Sequence, residues 1–204
     1  MQSTAYKARV TLAAVPARGE ASGWVTWTAL SLLFAGFTGL CAQLRFYLPF
    51  TPVPVTGQVF AVLMCGLFLG KKYGPLSQVF YLIFGVAGIP WFVVGPIGPT
   101  GGYIVGFIVA PFIIGELFER ARLGHSGKHE GSVSYTKTNA IPYTKALVIM
   151  LTGVALIYVL GLIQFSIYTQ TGLIRSIRYA VLPFIPFDVV KAVLAAAAAR
   201  AFIR

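Results

Sequence analysis

Acid is what this chain lacks. Its 204 residues include five carboxylates against sixteen Lys and Arg, and Asp188 is the only aspartate. Charged residues make up 10% of the chain, where a soluble domain carries about a quarter, so an ordinary water-facing surface is excluded. Only two cysteines occur, Cys41 and Cys65, both inside apolar runs, where a thiol behaves as a small hydrophobe; no disulfide framework is implied. The two histidines, His125 and His129, lie outside every apolar run, so no span holds a base to activate Ser or Cys. Polar alternation at a period of two is absent too, which excludes a membrane barrel.

What fills the chain instead is apolar sequence, 57% of all residues. A helix needs about 20 apolar residues to cross some 30 Å of hydrocarbon. Six runs approach that length: Trp24 to Leu44, Val55 to Gly70, Tyr73 to Val94, Gly102 to Phe118, Thr144 to Tyr168 and Leu182 to Ile203. The second and fourth are short, and Gly85, Gly88 and Pro90 predict a kink or an early end in the third. The expected fold is an all-α integral membrane protein, a bundle of six transmembrane helices.

Six crossings put both termini on one side, and the basic residues say which. Lys7, Arg9 and Arg18 precede the first run; Lys71 and Lys72 lie in the second connection; Arg120, Arg122, Lys128, Lys137 and Lys145 flank the fourth; Arg200 and Arg204 close the chain. Only Arg45, Arg175 and Arg178 fall on the opposite side, so the positive-inside rule makes the termini cytoplasmic. The net charge of +11 is thus topogenic and lipid-facing, and no soluble basic face remains for nucleic acid. Residues 1–23 read as a cytoplasmic N-terminal arm, residues 24–204 as the membrane domain, and residues 123–142, rich in Gly, Ser, Thr, Lys and His, as a flexible cytoplasmic tether.

Three enzymatic patterns fail. His125, His129 and Glu130 have neither the order of a zinc-protease helix nor a helix-forming context between Gly124 and Gly127, so no metal site is expected. Gly66 through Lys72 is one residue short of a phosphate loop and lacks the Ser or Thr after lysine. Glu116 and Glu119, beside Arg120 and Arg122 at a span end, form an ordinary ion-pair cluster. The chain is expected to be no enzyme and to hold no cofactor.

The polar residues that survive gather at the outer ends of different runs: Arg45 after the first, Thr56 and Gln58 at the second, the stretch GPIGPTGGY (Gly95 to Tyr103) before the fourth, and Asp188 with Lys191 at the sixth. A charge at membrane depth costs about 2.5–3.5 kcal/mol to insert, so such residues pair and face cavities. Pro183 and Pro186 place Asp188 near a helix N-cap and Lys191 in the first turn. Two readings follow: a closed structural ion pair, or a pair that also faces a ligand, Asp188 accepting two N–H groups and Lys191 donating to a carbonyl. Gly98, Gly101 and Gly102 can bring backbone amides over a small solute, or form only a tight turn. Gln58 offers donor and acceptor to an amide-like solute or to a neighbouring helix. Tyr103, Trp91 and Phe92 stack on a ligand or belong to the interfacial belt. Arg45 either holds a ligand carboxylate or is solvated.

At these residues the chain resembles the BioY family, the biotin-specific substrate-binding (S) subunits of energy-coupling factor (ECF) transporters. Four blocks carry the resemblance in order: FAGFTGLCAQL, PVPVTGQVFAVLMCGLFLGKKYGPLSQVFYLIFGVAGIP, GPTGGYIVGF and PFIPFDVVKAVLAA. It implies the six-helix S-subunit fold in a prokaryotic plasma membrane, capture of biotin from outside, and delivery through a transmembrane coupling subunit and two ATPases that use the ATP. It also implies ligand contacts from Gln58, from Gly98, Pro99, Thr100, Gly101, Gly102 and Tyr103, and from Asp188 and Lys191; Thr56 and Arg45 join them from the outer cluster. Biotin's ureido group has two N–H donors for Asp188 and one carbonyl for Lys191. In the first run, Ser31, Ala35 and Gly39 form a small-residue stripe that the resemblance assigns to the coupling subunit, internal packing being the alternative. Phe187 stands where the family usually has glycine. Two other functional classes remain: a stand-alone carrier, facilitative or coupled to protons through Asp188, and an intramembrane enzyme.

Overall fold

The computed structural model describes residues 21–91, 98–123 and 141–202. Most of the arm and the tether, the stretch from Phe92 to Ile97, and His125, His129 and Glu130 lie outside the described residues. Six helices follow in order: α1 (Ala21–Gln43), α2 (Gln58–Val86), α3 (Gly101–Leu123), α4 (Tyr143–Thr169), α5 (Leu173–Ala180) and α6 (Ile185–Phe202). Among the described residues, α1, α2, α3 and α4 are long and apolar enough to cross a membrane; the pair α5 and α6, bent by 57°, makes a fifth candidate if taken as one span.

The second and third expected runs form one element with a break. Gly70 has φ 69° and ψ −169°, outside helical space and in a region that favours glycine, so the chain reverses there. Side chains prove the reversal: Gln58 Nε2 donates to the Tyr81 hydroxyl at 2.6 Å, although 23 residues of straight helix would separate them by about 35 Å. Gln78, from the second arm, lies 3.0 Å from Cys65 Sγ on the first. The second arm stops at Val86, well before Val94, where Gly88 at φ 101° turns the chain. That is the early end which Gly85, Gly88 and Pro90 predict.

The turn at Gly70 is held by α3. A Cβ on Gly115 would stand 2.2 Å from the Lys71 nitrogen and 2.5 Å from the Gly70 carbonyl carbon, so two backbones touch. Around this contact Lys71 pairs with Glu116 at 2.8 Å and Glu119 at 3.0 Å, and Arg120 pairs with Glu116 at 2.7 Å. The expected surface ion pair is present between Arg120 and Glu116, and Lys71 extends it into a tie between two helices.

The packing of α6 follows membrane rules, small residues inward and branched ones outward. In α6, Ala192, Ala195, Ala196 and Ala199 are buried while Val189, Val190 and Leu194 are exposed. The stripe Ser31, Ala35 and Gly39 likewise points into the bundle: Ser31 Oγ donates to the Tyr73 carbonyl at 3.1 Å, and Ala35 is fully buried. Where a partner surface was expected, the stripe here packs α1 against the second arm of α2 and the Trp91 ring.

Two features were absent from the sequence reading. Between α1 and α2, strands β1 (Arg45–Phe46) and β2 (Val55–Thr56) pair antiparallel, Arg45 opposite Thr56. The Gly57 N–H donates to the Cys41 and Leu44 carbonyls, which satisfies open groups at the α1 terminus. The other is α5, a short helix with Arg175 and Arg178 exposed. Gly115→Ala is expected to destabilise the protein by about 1–3 kcal/mol through overpacking, read as a lower thermal midpoint in detergent; an unchanged midpoint contradicts the backbone contact.

Candidate functional site

Asp188 lies in the first turn of α6, not at its cap, because the helix begins at Ile185 and the Asp188 N–H already bonds the Phe184 carbonyl at 3.0 Å. Lys191 follows one turn later and places Nζ 2.6 Å from Asp188 Oδ1. Both are removed from solvent, with side-chain exposures of 5% for Asp188 and 16% for Lys191. Burying an ion pair is favourable only when further hydrogen bonds satisfy both partners. Here they do: the Tyr158 hydroxyl donates to Asp188 Oδ2 at 2.7 Å, and Lys191 Nζ donates to the Thr56 carbonyl at 2.6 Å. The small ladder between α1 and α2 thus fixes the carbonyl that holds the ammonium.

The pair is satisfied but not saturated. A carboxylate offers about four lone-pair sites and an ammonium three protons. Two of the former and two of the latter are taken, which leaves acceptor capacity on Asp188 and one donor on Lys191. That capacity opens into a cavity whose empty space, the open solvent at its mouth included, is about 680 Å³.

Further polar side chains reach the lining. Thr56 Oγ1 donates to Gln58 Oε1 at 2.9 Å, and Gln58 Nε2 donates to Tyr81, so the amide is oriented from both ends. Thr100 lines the cavity from the chain just before α3. Tyr103 lines it too, and its hydroxyl donates to the Ala180 carbonyl at the end of α5. Apolar surface completes the wall: Trp91, stacked on Tyr81 at 5.7 Å between centroids, with Phe107, Phe184, Ile104, Val59 and Pro54. The site therefore combines a hydrogen-bonding floor with an aromatic wall.

Of the residues expected from sequence, Thr56, Gln58, Thr100, Tyr103, Asp188 and Lys191 meet on this cavity. Gly98, Pro99 and Gly101 are buried beside it without lining it. Gly102 has another task, since a Cβ there would stand 2.2 Å from the Leu160 carbonyl oxygen: it lets α3 approach α4. Arg45 is exposed on β1 and does not reach the lining. Phe187 turns away to an edge contact with Phe46 at 5.2 Å. Sequence reading missed Tyr81, Tyr158, Phe107 and Phe184. Tyr158 carried a signal, a lone hydroxyl in the wholly apolar run VALIYVLGLI.

Comparison with known proteins bears on the family and the fold. The profile of the BioY family matches residues 11–204. "Biotin transporter BioY" of Thermotoga maritima is 34% identical over 155 residues, covering 73% of this chain and 80% of that protein. "Probable biotin transporter BioY" of Pyrococcus horikoshii is 36% identical over 173 residues, covering 82% and 90% respectively. A crystal structure of the S-component for biotin from an ECF-type ABC transporter superposes with a TM-score of 0.74 at 26% identity, covering 89% of this chain and 93% of that one.

Tyr158→Phe removes the donor to Asp188 Oδ2 and keeps the ring. It is expected to cost the ligand-free protein about 1.5–3 kcal/mol, measured as a depressed unfolding midpoint, and an unaltered midpoint contradicts the bond.

Proposed function

We propose a function from one premise: the chain belongs to the BioY family. It captures biotin and serves its uptake across the membrane, as a transport subunit and not an enzyme. The observation that carries this reading is the unsaturated Asp188–Lys191 pair on the cavity floor. A ureido group presents two N–H donors and one carbonyl oxygen in a plane, which matches the acceptors left on Asp188 and the donor left on Lys191. Biotin's sulfur-containing ring and aliphatic chain then meet Trp91, Tyr103, Phe107 and Phe184. The oriented Gln58 amide, Thr56 and Thr100 add polar contacts around the ring, and the neighbouring Gly98, Pro99, Gly101 and Gly102 shape that wall through backbone packing.

In this reading the two arms of α2 each cross the membrane, giving six crossings with α1, α3, α4 and α6. The termini and the Lys71–Glu116 network lie on the cytoplasmic side of a prokaryotic plasma membrane, and the cavity opens outside. Arg45, exposed at that outer end, is placed to meet the carboxylate of an arriving ligand. Release inward depends on an ECF coupling subunit and two ATPases that consume ATP, with surrounding lipid on the exposed apolar faces. Residues 1–23 and 123–142 are the cytoplasmic arm and tether.

Calorimetry on the purified protein tests the reading: saturable biotin binding supports it, and no binding at micromolar ligand removes it. Asp188→Asn and Lys191→Ala are each expected to weaken biotin binding at least about thirtyfold, because each strands a buried partner. Normal binding by both variants reduces the pair to a structural role. Uptake into vesicles holding this chain alone, driven by a pH gradient, would favour a self-sufficient carrier instead.

A further inference from the structure

The gap in α1 at Gly39 is filled by a ring that belongs to the cavity. A Cβ on Gly39 would stand 2.4 Å from Cδ2 and Cε2 of Trp91, closer than any real contact allows. Trp91 lines the cavity, stacks on Tyr81 with planes 8° apart, and meets Phe84 edge-on at 5.8 Å. Tyr81 is fully buried and holds Gln58, so the ring cannot retreat in that direction. One turn along α1, Gln43 Nε2 donates to the Pro90 carbonyl at 3.2 Å and to the Gly39 carbonyl at 3.5 Å. The helix therefore grips the turn carrying Trp91 twice, through a missing side chain and through an amide.

We infer that Gly39 and Gln43 are positioning residues for ligand selection: together they set how far the Trp91 indole enters the biotin cavity. This rests on the reading that the cavity takes biotin. A larger residue at position 39 pushes a rigid indole away from α1; with Tyr81 fixed, the displaced volume comes out of the cavity. Neither Gly39 nor Gln43 lines the cavity, so their effect reaches the ligand only through the ring.

The test uses the full-length protein in lipid nanodiscs, in a Trp24→Phe/Trp27→Phe background that leaves Trp91 as the sole indole. Gly39→Ala is expected to raise the biotin Kd at least tenfold and to shift ligand-free Trp91 emission. Adding Trp91→Phe to Gly39→Ala, which shrinks the displaced ring, recovers most of the loss measured against Trp91→Phe alone; a purely structural glycine shows no such rescue. Gln43→Ala, at an exposed position, is expected to weaken binding several-fold and decides the matter if Gly39→Ala does not fold. Unchanged Kd and emission in Gly39→Ala, or in Gln43→Ala where only that variant folds, overturn the inference while biotin binding by the parent protein upholds the functional reading. Should the parent bind no biotin, that reading falls, and the emission shift still reports whether Gly39 places Trp91.

Discussion

A carboxylate and an ammonium held 2.6 Å apart in an apolar bundle set the terms for everything around them. Neither charge is tolerable alone at this depth, and the pair is tolerable only because Tyr158 and the Thr56 carbonyl complete its hydrogen bonding. Those supports come from α4 and from the ladder between α1 and α2. Three separate parts of the chain must therefore be in register before the pair is stable, and the register that stabilises it also opens the cavity.

Register is achieved by close backbone contact more than by side-chain bulk. Gly115 seats the reversed α2 against α3, Gly102 brings α3 onto α4, and Gly39 admits Trp91 to the wall. In lipid the hydrophobic effect does not press helices together, so such contacts and a few buried polar bonds must do so. Gln78, fully buried and donating to Thr38, Ser77 and Cys65, is one of those bonds between α1 and the arms of α2. The Lys71–Glu116–Arg120 network closes the far end of the same bundle.

Much of this was legible in the residues. Apolar runs separated by basic clusters announced helices at nearly the observed limits of α1, α3, α4 and α6, because length and composition alone fix a spanning helix. Asp188 and Lys191 stood out for the same reason, being costly where they are. The residues brought in by distance along the chain were harder to see. Tyr158 reaches Asp188 across 30 positions and Thr56 reaches Lys191 across 135, and no local pattern encodes either meeting. The inward packing of the small stripe on α1 was not legible, because Gly39 looks the same in sequence whether a partner's helix or its own Trp91 fills the gap. Arg45 stands off the cavity lining, which a two-residue ladder hides because it leaves no periodicity to reveal an outward face.

The most direct test is an experimental structure of the protein with biotin bound. The account predicts the ureido nitrogens within hydrogen-bond distance of the Asp188 carboxylate, roughly 3 Å, and the ureido oxygen on Lys191 Nζ, with Trp91 still against Gly39. Biotin bound elsewhere, or an Asp188–Lys191 pair that touches no ligand atom, would contradict it.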